Sequence, residues 1–342
     1  MRSLPTSFSK FLGVVAVTAM LGPFASAQDA GTRDDSKSWW LDPHTGVELF
    51  SPQDRDYSVS TLFSQNHGEL LQRAKGYRQD VRFSFLRDIN AEVKGEPGSF
   101  DITEFELDAQ YDFPIDPDSW MRVGGHIDRR DFSFSSAVVG PDDDETLWET
   151  GLIIGGGTFI DPGLFIEAQL EPGVYSDFEG GLNSKDWQFY GHVRATLQHD
   201  EFLFWRFGLR TDKLFEDVDL YPQLGVAWNF AEQWHLDVLL PNHVEVTYNP
   251  QAELLLNVGV SLEGDEYHVR GPSAIGKPQF DWQTQEMRLY AGATWRFDDQ
   301  VSVFGRIGSI VGGDEEFNGT VRQMNGTPGA SLFLEFGTGF DW

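Results

Sequence analysis

The sequence predicts an all-β fold, a closed antiparallel transmembrane β-barrel of about 14 strands, within a range of about 12 to 16. Apolar and polar residues alternate over stretches of about ten residues, which gives each strand one apolar face. Short turns alternate with longer loops, as in barrels of the bacterial outer membrane. The last stretch, 330–342, is another apolar strand, and a closed barrel pairs such a strand with the first one and exposes no edge.

Residues 1–27 have the features of a cleaved secretory signal peptide. Arg2 and Lys10 supply positive charge, and the apolar core at 11–24 is too short to span a bilayer as a helix. The predicted cleavage site consists of Ala25, Ala27 and Gln28. A retained N-terminal anchor is the alternative interpretation. We expect export, and since the chain has 0 cysteines, no disulfide contributes to its stability.

Composition narrows the function classes. After residue 27 no stretch of about 18 apolar residues occurs, so no membrane helix is predicted. Mean hydropathy is −0.34, a value that a barrel tolerates because only alternate residues face lipid. The formal net charge of the chain is −29. Removing the signal peptide takes away two basic and no acidic residues, which leaves −31 and argues against nucleic acid as a partner.

The chain divides into three predicted regions. After the signal peptide, residues 28–75 form an N-terminal segment, periplasmic or in the lumen, with a strand-like stretch at 57–64. Residues 76–342 form the barrel, whose first strand begins near Tyr77. The clearest alternation follows at 105–115.

Hairpin turns predict strand registers. A turn at 161–163 makes Ile160 face Leu164 and Ile154 face Leu170 on the lipid side. In that register Gly155 faces Gln169 and Gly157 faces Glu167 on the other side, leaving room for the longer side chains. Two further turns, at 231–233 and 298–300, predict the lipid-side pairs Phe230 with Trp234, Trp228 with Leu236, Phe297 with Val301 and Trp295 with Val303.

A turn at 199–201 predicts an energetically less favourable register. It makes Arg194 face Arg206 and Tyr190 face Arg210 on the polar side. Like charges directly opposite one another destabilise a sheet. This arrangement is tolerable only in water or with carboxylates nearby. The longer loops at the opposite end are predicted at 135–146, 177–185, 263–280 and 312–329.

The closing strand resembles the C-terminal signal by which outer-membrane barrels are recognised for insertion. Such a signal is a strand of alternating apolar residues that ends on an aromatic residue. The residues predicted to form it are Leu332, Leu334, Phe336, Phe340 and Trp342.

Charged residues on the polar face predict the character of the lumen. Acidic residues lie on one early strand, and basic residues lie further along the chain. The predicted lumen-lining residues are Glu106, Asp108, Asp112, His192, Arg194, Arg206, Arg210, Arg288, Arg296 and Arg306. In an open lumen these two sets create a transverse field, whereas in a plugged lumen the same charges pair and seal it. Both alternatives stay open at this point.

One stretch resembles a bacterial outer-membrane β-barrel family of unknown function. Leu220-Tyr221-Pro222 leads to Trp234-His235-Leu236-Asp237-Val238-Leu239-Leu240-Pro241 and the return Val244-Glu245-Val246-Thr247-Tyr248. The similarity extends over most of 80–342. It implies a fold and a location, but no reaction, ligand or catalytic residue.

Other candidate sites are weak. His235 and Asp237 share a strand face and could cooperate as in a hydrolase, but a hydrogen-bonded lumen or near-turn pair is the favoured interpretation. The acidic runs 142–145 and 314–316 could bind calcium or be solvated charge. The histidines show no zinc spacing, and no Gly-x-Ser-x-Gly occurs. We therefore predict no catalytic, cofactor-binding or metal-binding residue, and no enzyme.

The predicted function is a porin-like channel or transport barrel of the outer membrane for small polar solutes. The main alternative is a structural or adhesion barrel with a plugged lumen, and an outer-membrane hydrolase is the third hypothesis. The expected partners are outer-membrane lipid, the barrel-insertion machinery and small polar solutes, with no nucleic acid.

Overall fold

The computed structural model describes residues 79–341, except 93–98, 117, 135–144, 162, 179–180, 200–201, 216–217, 232, 252, 271–279, 298–300, 320–322 and 327–329. The predicted signal peptide, the segment 28–75, the acidic positions 142–144 and the terminal Trp342 lie outside the described residues. Among the described residues, no helix is long and apolar enough to cross a membrane.

The described chain is built from β-strands. Those of the first half are β1 Gln79–Glu92, β2 Ser99–Asp116, β3 Ser119–Phe134, β4 Glu145–Asp161, β5 Leu164–Ser176, β6 Trp187–Gln198 and β7 Leu203–Phe215. Those of the second half are β8 Val218–Ala231, β9 Trp234–Leu240, β10 His243–Gln251, β11 Leu254–Val269, β12 Phe280–Arg296, β13 Val301–Gly319, β14 Gln323–Gly326 and β15 Ser331–Asp341.

The strands close into an antiparallel barrel. Each wall strand pairs with its sequence neighbours, and β1 pairs with β15 through the whole register from Asp80 opposite Asp341 to Ile89 opposite Leu332. The four-residue β14 pairs with β13 only, so fourteen of the fifteen described strands form the wall. The predicted fold class and strand number are confirmed.

The outer surface carries the apolar belt that a membrane barrel requires. Alternate residues of neighbouring strands, such as Leu107, Leu170 and Leu334, are exposed. A soluble protein would bury such a continuous apolar surface, whereas lipid covers it in a transmembrane barrel. We call the two ends of the barrel the short-turn end, where β2–β3, β4–β5 and β6–β7 connect, and the long-loop end, where β3–β4, β5–β6 and β11–β12 connect.

Most of the predicted registers are correct. Ile154 faces Leu170, Trp228 faces Leu236 and Trp295 faces Val303. Close to two of the turns, a bulge shifts the pairing. Asp161 rather than Ile160 faces Leu164, and Ala231 rather than Phe230 faces Trp234.

The predicted pairing of Arg194 with Arg206 is wrong. Arg194 faces Gly208, and Arg206 faces Thr196, a register shifted by two residues. The turn is wider than predicted, because the His199 amide donates to the Leu203 carbonyl at 2.9 Å. Likewise Arg210 faces His192 rather than Tyr190. The wider turn removes the opposition of like charges that made the predicted register unfavourable.

Two predicted long loops are partly strand. β11 continues to Val269 and β12 begins at Phe280, so the connection is shorter than 263–280. β13 continues to Gly319, which places the acidic run 314–316 in a strand, and β14 folds back on it. Pairing with β12 along its whole length extends β13 beyond the predicted start of the loop.

A short hairpin interrupts the wall. β9 has 7 residues and β10 has 9, whereas the other wall strands have 11 to 19. Next to this short pair of strands, β11 and β12 turn into the barrel over their long-loop halves, which are residues 260–269 and 280–288. We call this segment the tucked hairpin. The β12 residues 282–288 are buried on both faces, which a strand in a one-layer wall could not be.

Candidate functional site

The candidate site is the lumen, which the inward faces of the strands enclose. None of the ten predicted lumen residues is exposed, whereas the residues that alternate with them, such as Phe105, Leu107 and Phe207, are. They separate into pairs along the wall and contacts that cross the barrel. Arg296 lies apart from the rest, at the short-turn end of β12.

In the short-turn half, the charges pair with partners on the same or a nearby strand. Arg122 donates to both carboxylate oxygens of Asp112, at 2.8 and 3.0 Å. Arg194 Nε donates to Glu167 at 2.6 Å. These pairs lie along the wall and do not cross the lumen.

Three more arginines follow the same pattern. Arg206 donates to the buried Asp237 at 2.9 Å. Arg306 donates to Glu335 at 3.3 Å, and Arg210 donates to Asp212. Each of these guanidinium groups therefore has a neighbouring carboxylate among the described residues, so opposite charges alternate along this part of the lumen wall.

The predicted cooperation of His235 with Asp237 does not occur. His235 Nδ1 lies 2.8 Å from Asn229 Oδ1, and Asp237 instead contacts His243 Nε2 at 2.9 Å. Asp237 also accepts from Arg206, so its carboxylate is committed to an ion pair. The two residues share a face, but His235 contacts Asn229 and Asp237 contacts His243.

A glycine prediction is refined in the same region. Gly155 does face Gln169, and Gly157 faces Glu167. However, a Cβ atom at Gly157 would lie 2.5 Å from the ring of Phe165. The missing side chain therefore makes room for an aromatic ring rather than for the carboxylate opposite.

The long-loop half is filled by the tucked hairpin. Its inward residues Tyr267, Val269 and Trp282 belong to a cluster of eight buried apolar side chains. The other members are Ile102, Phe132, Leu147, Tyr175 and Tyr190. Trp282 packs on Phe132 with ring centroids 4.3 Å apart. We call this cluster the apolar plug, since it joins side chains of β2 to β6 with those of β11 and β12 inside the long-loop half.

The outer face of the tucked hairpin packs against the inside of β7 and β8. Towards the short-turn end, this face of β11 and β12 carries the exposed Leu256 and Leu289. In the tucked hairpin the same face carries Val260, Leu262 and Met287, and these three are buried. They form a second apolar cluster with Leu214, Phe215, Tyr221 and Val244. Gln283 donates to the Lys213 carbonyl at 3.4 Å, and Gln285 donates to that of Leu214.

The end of the hairpin is fastened to the β5–β6 connection. His268 of β11 pairs in parallel with Ser176 of β5, although β6 to β10 separate these strands in the wall. Ser176 Oγ donates to the His268 carbonyl at 3.2 Å, and the Arg270 amide donates to Asp177 at 2.5 Å. The Arg270 side chain pairs with the buried Asp186.

Ion pairs that cross the lumen hold the hairpin from below. Arg288 of β12 contacts Glu104 of β2 at 3.3 Å. Arg130 of β3 contacts Asp265 of β11 at 3.0 Å. Of these four residues only Arg288 was predicted from the sequence. The alternation of β2 and β3 extends to Glu104 and Arg130, so the sequence pattern could have indicated these two residues. Asp265 could not be predicted in this way, because 263–280 was interpreted as a loop.

No coordination site for a metal appears in the part of the chain that the structure describes: no three histidine, aspartate or glutamate side chains there are grouped to hold an ion. The side chains of the acidic run 314–316 lie outside the described residues, so its calcium interpretation stays a prediction.

Comparison with known proteins shows the fold. No protein-family model matches the chain, and no curated protein matches it by sequence. A FadL homologue from Pseudomonas aeruginosa has 10% identity and a TM-score of 0.50, over 82% of this chain and 94% of that one. The Pseudomonas putida toluene transporter TodX has 9% identity and a TM-score of 0.43, over 90% and 95%. The KdgM porin has 7% identity and a TM-score of 0.35, over 77% and 99%. The first similarity shows that this chain has the fold of an outer-membrane barrel.

Proposed function

We propose that this protein is an outer-membrane transport barrel for small polar solutes. The observation that carries the proposal is a charged inner wall in the short-turn half, surrounded by an apolar belt on the described strands. Ionisable side chains within a membrane-spanning structure are costly, and they mark solute pathways where they face an interior. The fold shared with the FadL homologue is consistent with this proposal.

We infer that the conformation described here is a closed state of that pathway. The apolar plug lies in the long-loop half, and the tucked hairpin contacts β5 by a hydrogen bond and β2 and β3 by ion pairs. Solute passage therefore requires the hairpin to move away from Ser176 and from β7.

A structural or adhesion barrel is the second candidate. The buried plug favours it, since a permanently sealed lumen needs no other explanation. A hydrolase is disfavoured because Asp237 is engaged by Arg206 and His243 rather than by His235. Chromogenic ester and peptide substrates should show no turnover, and turnover abolished by His235→Ala would overturn the non-enzymatic proposal.

Location and biogenesis follow from the same proposal. We propose that residues 1–27 are cleaved on export, that 28–75 stay periplasmic or enter the lumen, and that 332–342 are read by the insertion machinery. The resemblance of the β8–β10 stretch supports membership of an outer-membrane family of unknown function. The partners proposed are outer-membrane lipid, insertion machinery and small polar solutes.

A disulfide lock tests the transport proposal. The chain contains 0 cysteines, so Ser176→Cys with His268→Cys would create a single pair at directly bridged positions of β5 and β11. In planar bilayers, the reduced variant should open in discrete conductance steps like the natural mature chain. Oxidation should abolish those steps, and reductant should restore them.

Two outcomes would contradict these statements. A folded, heat-modifiable natural chain without conductance steps would refute transport and favour the plugged structural barrel. Equal conductance of the oxidised and reduced variants would show that the tucked hairpin is not the gate.

A further inference from the structure

Beneath the apolar plug lies a buried network in which carboxylates outnumber basic groups. Arg130 contacts Glu104, Asp128 and Asp265 at 3.4, 3.3 and 3.0 Å. Arg288 contacts Glu104 at 3.3 Å and two further carboxylates at 2.7 Å each. Those two belong to Glu263 and Glu286. Both guanidinium groups are therefore shared among several acids.

A sixth carboxylate, Glu149, extends the network. It accepts from Tyr175 Oη at 2.6 Å and lies 2.9 Å from His126 Nε2. Six carboxylates against two arginines leave a formal charge of −4, or −3 with a protonated His126. Such an excess in a largely buried site is costly unless bound protons or a further cation offset it.

Tyrosine rings cover this acidic network. Tyr175 packs on Tyr190 and on Tyr267, with ring centroids 5.1 and 6.0 Å apart. The guanidinium carbon of Arg130 lies 5.9 Å from the centre of the Tyr267 ring. The chain thus already places one of its own organic cations between a tyrosine face and carboxylates, a geometry that suits cation recognition.

Several polar atoms of the same network have no hydrogen-bond partner among the described residues. They are the hydroxyls of Tyr190 and Tyr267 and Oδ1 of Asp128. These side chains are buried, with 6%, 1% and 7% of their residue surface exposed. Buried polar atoms are nearly always satisfied. An ionised Asp128 oxygen can only accept and each hydroxyl can accept as well as donate, so these atoms leave hydrogen-bonding capacity for a donor from outside the chain.

We propose that this tyrosine-covered acidic network binds a small organic cation carrying an ammonium or guanidinium group. The carboxylates provide charge, the hydroxyls and Asp128 accept hydrogen bonds, and the rings favour an organic ion over a metal ion. No described group of side chains is arranged to coordinate a metal. As a statement about the transported solute, the inference rests on the proposed function; as a binding site, it stands by itself.

Calorimetric titration of the refolded mature protein in detergent tests the site. Butylammonium should bind, whereas 1-butanol and butanoate, of similar size, should not. Asp265→Asn should weaken butylammonium binding about tenfold or more, because hydrogen bonds to charged groups contribute most. Asp101→Asn, which changes an exposed outer-surface carboxylate, should leave the affinity unchanged. Equal binding of butanoate, or full affinity of Asp265→Asn, would overturn the proposal.

A second variant guards against misfolding. Tyr190→Phe removes a hydroxyl that bonds to no described group, so the barrel should fold and remain heat-modifiable, while butylammonium affinity falls severalfold. Unchanged affinity in folded Tyr190→Phe would contradict the assigned role of that hydroxyl in the site.

Bilayer measurements separate this inference from the transport proposal. A conducting protein with no cation preference and no butylammonium binding would refute the site and leave transport standing. Butylammonium binding without any conductance would refute transport and leave the site standing.

Discussion

The two halves of the lumen differ in the contacts that their charged side chains make. In the short-turn half, ion pairs such as Arg122 with Asp112 and Arg206 with Asp237 lie along the wall. In the long-loop half, Arg288 reaches Glu104 across 184 positions of sequence, and β11 touches β5. The comparison teaches that alternation alone builds a polar tube, whereas closing the tube requires one hairpin to leave the wall.

The low wall at β9 and β10 explains where the hairpin turns inward. The Leu262 amide donates to the Asn242 carbonyl at 2.7 Å, at the tip of the β9–β10 hairpin. Above that tip, the described part of β11 pairs with no wall strand on that side until His268 meets Ser176 of β5. Its outer face then packs on Leu214 and Tyr221 inside the barrel, which buries apolar surface that would otherwise stay exposed.

The largest expected effect comes from breaking the belt that both halves share. Leu334 is 53% exposed on β15, next to Ile307 of β13. Leu334→Arg should cost about 2–4 kcal/mol in the bilayer and block assembly. Heat-modifiable mobility on gels measures folding, and Leu334→Phe serves as the apolar control. Normal assembly of the arginine variant would refute the lipid-facing assignment.

The next effect should leave the barrel assembled and be confined to one half, so it distinguishes the two halves directly. Trp282 is 1% exposed in the plug, whereas Trp295 is 41% exposed at the short-turn end of the same strand. Trp282→Ala should destabilise the long-loop half by about 3–5 kcal/mol, because it leaves a cavity in packed surroundings. The variant should open more often in bilayers, and Trp295→Ala should not. Equal opening of both variants would mean that the plug does not control the lumen.

The smallest effect is expected outside the lumen. Arg87 and Asp101 form an exposed pair with 3.3 Å between Nη2 and Oδ2. Arg87→Ala should change the unfolding free energy by only about 0–1 kcal/mol, since exposed ion pairs are screened and side-chain ordering offsets their attraction. Urea titration of folding in detergent micelles measures it. A loss above about 2 kcal/mol would place this pair among the structural contacts.

Much of the barrel could be predicted from local patterns. The parity of Phe105, Leu107 and their neighbours assigns a lipid face, because successive side chains of a strand point to opposite sides. The registers at Ile154 with Leu170 and Trp295 with Val303 followed from turn positions. The turn at His199 is wider than its sequence suggested, and the register is shifted by two residues. A shift of two residues keeps each side chain on the predicted face of the sheet but changes the residue opposite to it.

The sequence by itself thus determined a closed barrel, its lipid face and its polar interior. Only the tertiary structure decided that 263–269 continue as strand, that this strand enters the lumen, and that Asp265 meets Arg130. The physical reason is the sequence distance between the residues that decide each feature. Alternation is set by the covalent geometry of each strand, whereas the inward turn of β11 depends on the length of β10 beside it and on contacts with strands far away in sequence.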